Sequence, residues 1–209
     1  MVVANYRKYF LAGVNKNFPE VPDAIIDKVN AHYKTLSVDT AFAIRSTNPI
    51  DKRLDFCTYF LAFIKTLHEQ GKNFETTRKI CLEIVTEYVR PKNKLQQLIK
   101  KLPVTLLNTW LATYFLKKFN KRVSTNSNPD GFIANIITDK RETLGLGYGV
   151  DILECGICKL FNKHNYQKYA SILCEVDALT SHLAGLRLVR NSTIALGAKK
   201  CDFRWEKKI

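Results

Sequence analysis

Apolar residues recur at helical spacing through the first half of the chain. One buried stripe follows the i, i+3, i+4, i+7 pattern at Phe56, Tyr59, Phe60, Phe63, Ile64 and Leu67. The same spacing continues from Thr76 to Tyr88 and ends before Pro91, which cannot continue a helix. Residues 4 to 120 are therefore predicted to form four or five packed helices.

The pattern changes after a polar, turn-rich stretch, KRVSTNSNPDG, at residues 121–131. The runs GFIANIITD and YGVDIL indicate two strands, two helical segments follow between Cys155 and Leu183, and GLRLVRNST and KCDFRWEKK indicate two more strands. This order predicts an α+β fold, in which an N-terminal helical bundle packs on a C-terminal antiparallel sheet with covering helices. We expect a helical region at 1–125 and an α+β region at 126–209, within one integrated domain.

The last predicted strand contains CDFRW, in which apolar and polar side chains alternate. Cys201, Phe203 and Trp205 share one face of such a strand, whereas Asp202 and Arg204 point to the other. We expect the first face to be buried and the second to be solvent-exposed. We also expect a pocket under the buried face, and in that case Cys201 belongs to the site.

The composition is that of a globular domain with a strongly basic balance. Hydrophobic residues make up 46% and charged residues 25% of the 209 positions, which argues against a disordered or fibrous protein. The net charge of +14 favours anionic ligands. The basic residues are spread along the chain in pairs, without a nucleic-acid-binding signature. The expected partner is therefore a small anionic substrate, not a nucleic acid.

Two segments bear on export and membranes. The first residues, MVVANYRKYFLAGVNK, break their apolar run with charges and show no small-residue cleavage site, so a cytoplasmic protein is expected. The uncharged run between Lys101 and Lys117 is shorter than the about 20 apolar residues that span a bilayer. A buried helix is predicted there, and no membrane partner is expected. The sequence leaves the oligomeric state open, a homo-oligomer included.

In a cytoplasmic protein, cysteines act as thiols, metal ligands or nucleophiles more often than as disulfides. Cys155 and Cys158 form a CxxC pair that is followed by His164 and Cys174, and such ligands suit zinc. Zinc ribbons present two close pairs and this chain has one, so a divalent metal such as zinc is one alternative for an undetermined cofactor. Cys155 stands where a strand gives way to a helix, a position that favours a thiolate. Cys174 and Asp177 share one face of the longer helix.

The order of these residues resembles that of a known family. The matching positions are Cys155, Cys174, Asp177, Arg190, Thr193, Gly197, Cys201, Asp202, Phe203 and Arg204. Together they resemble the L-2-amino-thiazoline-4-carboxylic acid hydrolase family, whereas Cys158 and His164 lie outside its pattern. A more remote likeness to ligand-binding 4-vinyl reductase-type domains, some of which hold zinc with cysteines, leaves a metal site of Cys155, Cys174 and Cys201 as an alternative.

The resemblance implies hydrolytic opening of a thiazoline ring that bears a carboxylate, giving an N-carbamoyl cysteine. That reaction needs a nucleophile at the carbon between nitrogen and sulfur, a proton donor to the ring nitrogen, and expulsion of a thiolate. Cys174 or Cys201 would attack directly, or a cysteine-bound metal would activate water.

The resemblance also implies roles for acidic and basic residues. Asp177 or Asp202 would act as acid and base. Arg190 or Arg204 would hold the substrate carboxylate in a bidentate pair, with Thr193 as a further substrate-binding residue. The alternatives to a hydrolase are a non-catalytic sensor-type domain that binds a small ligand or a metal, and a helical interaction module that retains the enzyme-like half.

Overall fold

The computed structural model describes residues 6–93, 109–125 and 128–207. Within these ranges the chain forms seven helices, α1 (Arg7–Asn17), α2 (Pro22–Thr40), α3 (Arg53–Glu69), α4 (Phe74–Val89), α5 (Trp110–Val123), α6 (Gly156–Lys163) and α7 (Ala170–Leu183). The strands of the same ranges are β1 (Ile133–Ile137), β2 (Gly149–Glu154), β3 (Leu186–Val189) and β4 (Cys201–Lys207). The predicted α+β fold, with a helical N-terminal region and a C-terminal antiparallel sheet, is confirmed.

Helix α3 is the centre of the N-terminal bundle. Almost all of its residues from Leu54 to Leu67 are buried, because apolar side chains and threonines occupy most of its faces. Phe10 of α1 packs its ring against four aromatic rings of α3. The hydroxyls of Thr58 and Thr66 donate to carbonyls four residues earlier, so their polar groups are satisfied inside the helix. The bundle therefore has a continuous core around α3.

The four strands form one sheet in the order β1–β2–β4–β3, with every neighbouring pair antiparallel. Strand β4 lies between β2 and β3, so that Cys201 stands opposite Ile152 and Phe203 opposite Val150. Helix α5 packs near β1 and helix α7 packs near β3. Both helices cover the face of the sheet that carries Cys201, Phe203 and Trp205. The cavity described below lies under this apolar face.

The opposite face of the sheet is a packed polar layer, and the expectation of a solvent-exposed face was wrong. The Arg204 side chain is only 15% exposed and donates to Asp151 Oδ1 at 2.9 Å. Arg204 also donates to the carbonyl oxygen of Glu142 at 2.8 Å, and Lys200 Nζ donates to Asp151 Oδ2 at 2.6 Å. Asp151 is buried, and two cations compensate its charge, as a buried carboxylate requires.

Two buried polar residues join the helical bundle to the sheet. Asp51 Oδ1 accepts a hydrogen bond from the backbone N–H of Phe132 at 2.8 Å, and Asn48 Nδ2 donates to the carbonyl oxygen of Phe132 at 2.9 Å. The Ser46 hydroxyl donates to the second carboxylate oxygen of Asp51. Asp51 and Asn48 are 0% and 1% exposed. They satisfy the backbone of the residue that leads into β1 and so fix the sheet against the bundle.

Helix α5 departs from the buried helix that was predicted around it. Residues 102–108 of that prediction lie outside the described residues. In the described part, Trp110 and Tyr114 are 77% and 61% exposed, so the prediction was wrong there. The helix packs on the sheet through one face, which carries Phe119. Its Asn120 Oδ1 accepts from the N–H of Ile136 at 2.7 Å, which satisfies a donor of edge strand β1.

Two further predictions concern organisation and membranes. The expected division between 1–125 and 126–209 adjoins positions 126–127, which lie outside the described residues, and it stays a prediction. Among the helices that the structure describes, none has the length and apolar character needed to cross a membrane.

The buried bond from Phe132 to Asp51 predicts a measurable loss of stability. Replacing Asp51→Ala leaves a buried N–H without an acceptor, and should lower the free energy of unfolding by about 1–3 kcal/mol. Asp51→Asn keeps an acceptor of the same shape and should lose less. Urea unfolding followed by circular dichroism measures both. An Asp51→Ala protein with the wild-type midpoint would show that this contact does not hold the sheet.

Candidate active site

A cavity of about 410 Å³ lies between the apolar face of the sheet and helices α3, α5, α6 and α7. Its wall is formed by Ile50, Arg53, Phe119, Phe132, Ile136, Tyr148, Val150, Ile152, Cys155, Ile157, Cys158, Ala170, Leu173, Cys174, Asp177, Thr180, Ser181, Cys201, Phe203 and Trp205. Most of these side chains are apolar. The polar groups are four thiols, one arginine, one aspartate, the hydroxyls of Thr180, Ser181 and Tyr148, and the indole N–H of Trp205. A volume of this size and this composition are typical of a small-molecule site.

Cys155 is positioned by the junction of β2 and α6. Strand β2 ends at Glu154 and the helix begins at Gly156, so Cys155 occupies the N-cap position. A Cβ at Gly156 would lie 3.0 Å from the carbonyl oxygen of Asp130, so only glycine lets α6 approach this segment so closely. Lys159 Nζ binds the same segment through the carbonyl oxygen of Pro129 at 2.6 Å. These contacts fix the start of the helix and with it the Cys155 thiol.

The environment of Cys155 favours its thiolate. Its sulfur makes no capping hydrogen bond with the N–H groups of the helix. The Cys158 thiol and the N–H groups of Ile157 and Cys158 nevertheless lie close enough to lower the pKa of Cys155 below that of an ordinary thiol, against the effect of burial. A helix N-terminus carries a partial positive charge, which stabilises an anion in this position. Cys155 is therefore the most readily ionised thiol of the cavity.

The other three cavity thiols stay protonated at neutral pH. Interaction with Cys155, together with burial, raises the pKa of Cys158 far above its usual value. Burial raises the pKa of Cys174 to about 12 and also raises that of Cys201. The Cys201 sulfur accepts a hydrogen bond from the N–H of Ile194 at 3.2 Å. Cys155 thus differs from the other three thiols of the wall in how readily it ionises.

Asp177 forms ion pairs with two arginines, Arg53 and Arg190. Arg53 donates to its Oδ1 at 3.1 Å, and Arg190 approaches its Oδ2 at 3.4 Å. Arg190 also donates to the carbonyl oxygen of Cys174 at 3.0 Å and lies over the ring of Phe203. The Arg190 side chain is 13% exposed and stands behind the wall, whereas the Arg53 side chain lines the cavity and is 56% exposed. Arg53 is therefore the arginine of this pair that lines the cavity.

The cavity brings together some of the predicted site residues and leaves others outside. Those on its wall are Cys155, Cys174, Asp177 and Cys201. Those that do not line it are Arg190, Thr193, Asp202 and Arg204. Sequence reasoning missed Arg53, and no sequence signal marks it, because its partner Asp177 lies 124 positions away.

Asp202 holds a loop instead of facing the cavity. Its Oδ1 accepts hydrogen bonds from the N–H of Asn191 at 3.0 Å and from the N–H and hydroxyl of Ser192 at 2.6 and 2.9 Å. Burial opposes ionisation here, but these donors keep the pKa of Asp202 below its usual value. Asp202 therefore fixes the loop between β3 and β4, which is a structural role next to Cys201 in the chain.

The predicted zinc ligands do not form a coordination group. In the part of the chain that the structure describes, no three or more histidine, cysteine, aspartate or glutamate side chains are grouped so that they would hold a metal ion. His164 lies against Asp39, with Nε2 at 2.8 Å from Oδ2, and it is not on the cavity wall. Cys155, Cys174 and Cys201 share the wall without forming such a group. This arrangement does not fit zinc, and no step below uses a metal.

An α+β fold with a thiol-lined cavity, one thiol of lowered pKa and one arginine on the wall defines a small-molecule site. The family described as L-2-amino-thiazoline-4-carboxylic acid hydrolase matches residues 53–205, well over half of the chain, and the protein belongs to this family. The match includes every lining residue except Ile50. Comparison with curated proteins and with solved structures gave no match. The resemblance inferred from the sequence is confirmed.

The lowered pKa of Cys155 predicts selective alkylation. Iodoacetamide reacts with thiolates, so Cys155 should be labelled at pH values below about 8.5, the ordinary thiol pKa, where Cys174 stays unlabelled. Cys158→Ala removes a donor and should shift Cys155 labelling to higher pH, whereas Cys201→Ala should shift it less. Peptide mass spectrometry across a pH series measures both. Labelling of Cys174 before Cys155 would contradict the assignment.

Proposed function

We propose that the protein is a small-molecule hydrolase that opens the ring of L-2-amino-thiazoline-4-carboxylate to give N-carbamoyl cysteine, with Cys155 as the nucleophile. The observation that carries the proposal is the Cys155 thiol, which stands at the N-terminus of α6 on the wall of the cavity and has a lowered pKa. Membership of the family supports a hydrolase of this type. The substrate is small and anionic, as the basic chain predicts.

In the first step, the Cys155 thiolate adds to the ring carbon between nitrogen and sulfur. The substrate amidine is basic and enters protonated, so the adduct with the thiolate is neutral. The bond from this carbon to the ring sulfur then breaks, and the leaving sulfur takes up the proton that the amidine brought. The carbon remains bound to Cys155 as an isothiourea. The Cys158 thiol contacts Cys155 and stays protonated, so it stabilises the attacking and departing thiolate by donating a hydrogen bond to it.

In the second step, water adds to the same carbon and Cys155 leaves. The water oxygen becomes the carbonyl oxygen of the carbamoyl group, and the two water protons end on the product. The net change is the addition of one water molecule, and Cys155 is regenerated as a thiolate. Because its pKa is lowered, Cys155 is also the better leaving group of the cavity thiols.

Arg53 is the residue that we assign to the substrate carboxylate. It is the only arginine or lysine among the described wall residues, and it lies close enough to Cys155 for their charges to interact. One of its N–H groups is used by Asp177, and a guanidinium has five. In this proposal Asp177 holds Arg53 in place, and Arg53 takes the carboxylate-binding role that the family resemblance implied for Arg190 or Arg204.

Ligand binding without turnover is the second candidate function. The volume of about 410 Å³ and the mostly apolar wall favour it, because they suit a ligand independently of any reaction. The assay below separates the two candidates.

The proposed nucleophile predicts which thiol is needed for turnover. Mass spectrometry should detect N-carbamoyl cysteine after incubation with L-2-amino-thiazoline-4-carboxylate. Cys155→Ser should lower kcat/KM by at least about 1,000-fold, since a hydroxyl in this place is not ionised. Cys174→Ser, the matched change in the same wall, should stay within about tenfold of wild type. The reverse order would assign the nucleophile to Cys174, and a folded wild type without product would favour the binding domain.

The assignment of Arg53 predicts a change in KM. Loss of a charge-assisted pair with the substrate costs about 1.5–3 kcal/mol, so Arg53→Gln should raise KM by about 10- to 100-fold with a smaller effect on kcat. Arg204→Gln is the control, because Arg204 binds Asp151 on the opposite face of the sheet. It should lower stability and leave KM nearly unchanged. Equal effects of the two changes on KM would exclude Arg53 as the carboxylate ligand.

A further inference from the structure

The cavity has two chemically different ends. Cys201 and Trp205 lie on the same face of β4, four residues apart, which corresponds to about 13 Å along a strand. Helix α7 runs alongside from Cys174 to Ser181, whose hydroxyl accepts from Trp205 Nε1 at 2.9 Å. Cys155 follows the end of β2 that pairs with Cys201. The thiols therefore gather at one end, and Trp205 marks the other.

The end at Trp205 is an aromatic slot. The Trp205 ring stacks on Tyr148 with centroids 5.0 Å apart and an interplanar angle of 14°, and it contacts Phe203 at 5.9 Å. Phe119 and Ile136 belong to the same part of the wall. Stacked rings of this kind bind apolar and aromatic groups through their faces and edges.

The substrate of the proposed function is too short to use this slot. A thiazoline ring with its carboxylate is about four bonds across, or about 6 Å. With its ring carbon at Cys155 and its carboxylate at Arg53, it leaves the Trp205 end empty. The volume of about 410 Å³ lies in the range that holds drug-sized ligands, which are longer than such a ring.

We propose that the natural substrate carries an apolar, preferably aromatic, substituent that extends from the reacting head at Cys155 to the slot formed by Tyr148, Phe203 and Trp205. The head, a cyclic amidine with a carboxylate, rests on the proposed function. The apolar substituent, called the tail, is inferred from the two chemically different ends of the cavity. The substrate class is thus an amidine-type ring with an aromatic or branched apolar side group on its exocyclic nitrogen.

A matched pair of compounds tests the tail. The 2-benzylamino derivative of the thiazoline carboxylate carries a phenyl ring on its exocyclic nitrogen, directed away from the head, while the 2-amino parent has no such group. Burial of the phenyl ring in the slot should raise kcat/KM by about 10- to 100-fold over the parent. A benzylamino compound that is turned over no better than the parent, and binds no tighter, would overturn the proposal.

Two tryptophan variants locate the effect. Trp205→Leu should reduce the advantage of the benzylamino compound over the parent, as the ratio of their kcat/KM values, to about threefold or less. Trp110→Leu is the control, because Trp110 is 77% exposed on α5. If Trp205→Leu fails to fold, Phe203→Leu makes a smaller change in the same slot with the same expected direction. An undiminished advantage in the folded variant would overturn the slot as the tail site.

A binding measurement separates this proposal from the proposed function. The chain has two tryptophans, so in the Trp110→Leu protein all tryptophan fluorescence comes from Trp205. The benzylamino compound should change this fluorescence and bind at least about tenfold tighter than the parent. If neither compound is hydrolysed but this difference in affinity is found, the hydrolase assignment fails and the slot stands. Hydrolysis of both compounds without any difference in affinity or in kcat/KM would leave the hydrolase and overturn the slot.

Discussion

The antiparallel pairing of β2 with β4 is the constraint on which the site depends. It sets Ile152 opposite Cys201 and Val150 opposite Phe203, so one face of the sheet is apolar along both strands. Because α6 begins directly after β2, the same pairing brings Cys155 to the end of the sheet where Cys201 lies. A shift of one residue would turn the apolar set of β4 away from α7 and would remove the cavity wall.

The four cysteines of the cavity wall carry the same group, but their surroundings shift their thiol pKa values in different directions. Burial alone raises a thiol pKa, as it does for Cys174 and Cys201. At Cys155 the helix N-terminus and the Cys158 thiol outweigh burial and lower the pKa. The charge of the Asp177 carboxylate, by contrast, is compensated by Arg53 and Arg190, and the first of these pairs holds Arg53 on the cavity wall. The cavity thus contains one readily ionised thiol and three that stay protonated.

Sequence patterns sufficed for the fold class and for part of the site. Helical spacing and strand alternation predicted the α+β fold, and the family motif pointed to Cys155, Cys174 and Cys201. Strand alternation alone already set Arg204 on the face opposite Cys201, so its omission from the wall was predictable. The role of Arg53 was not, because its partner Asp177 lies 124 positions away and the contact exists only in the folded chain. Which of the four thiols ionises most readily likewise depends on distances that only the folded chain sets.

The most direct test of the account is a search for the covalent intermediate. The protein is mixed with a small excess of L-2-amino-thiazoline-4-carboxylate, quenched in acid within the first turnover, digested, and analysed by peptide mass spectrometry. We expect a peptide that carries Cys155 with the mass of the whole substrate added, as the isothiourea requires. A substrate adduct on Cys174, or product formed at full rate with no adduct on Cys155 at any quench time and undiminished by Cys155→Ser, would contradict the account.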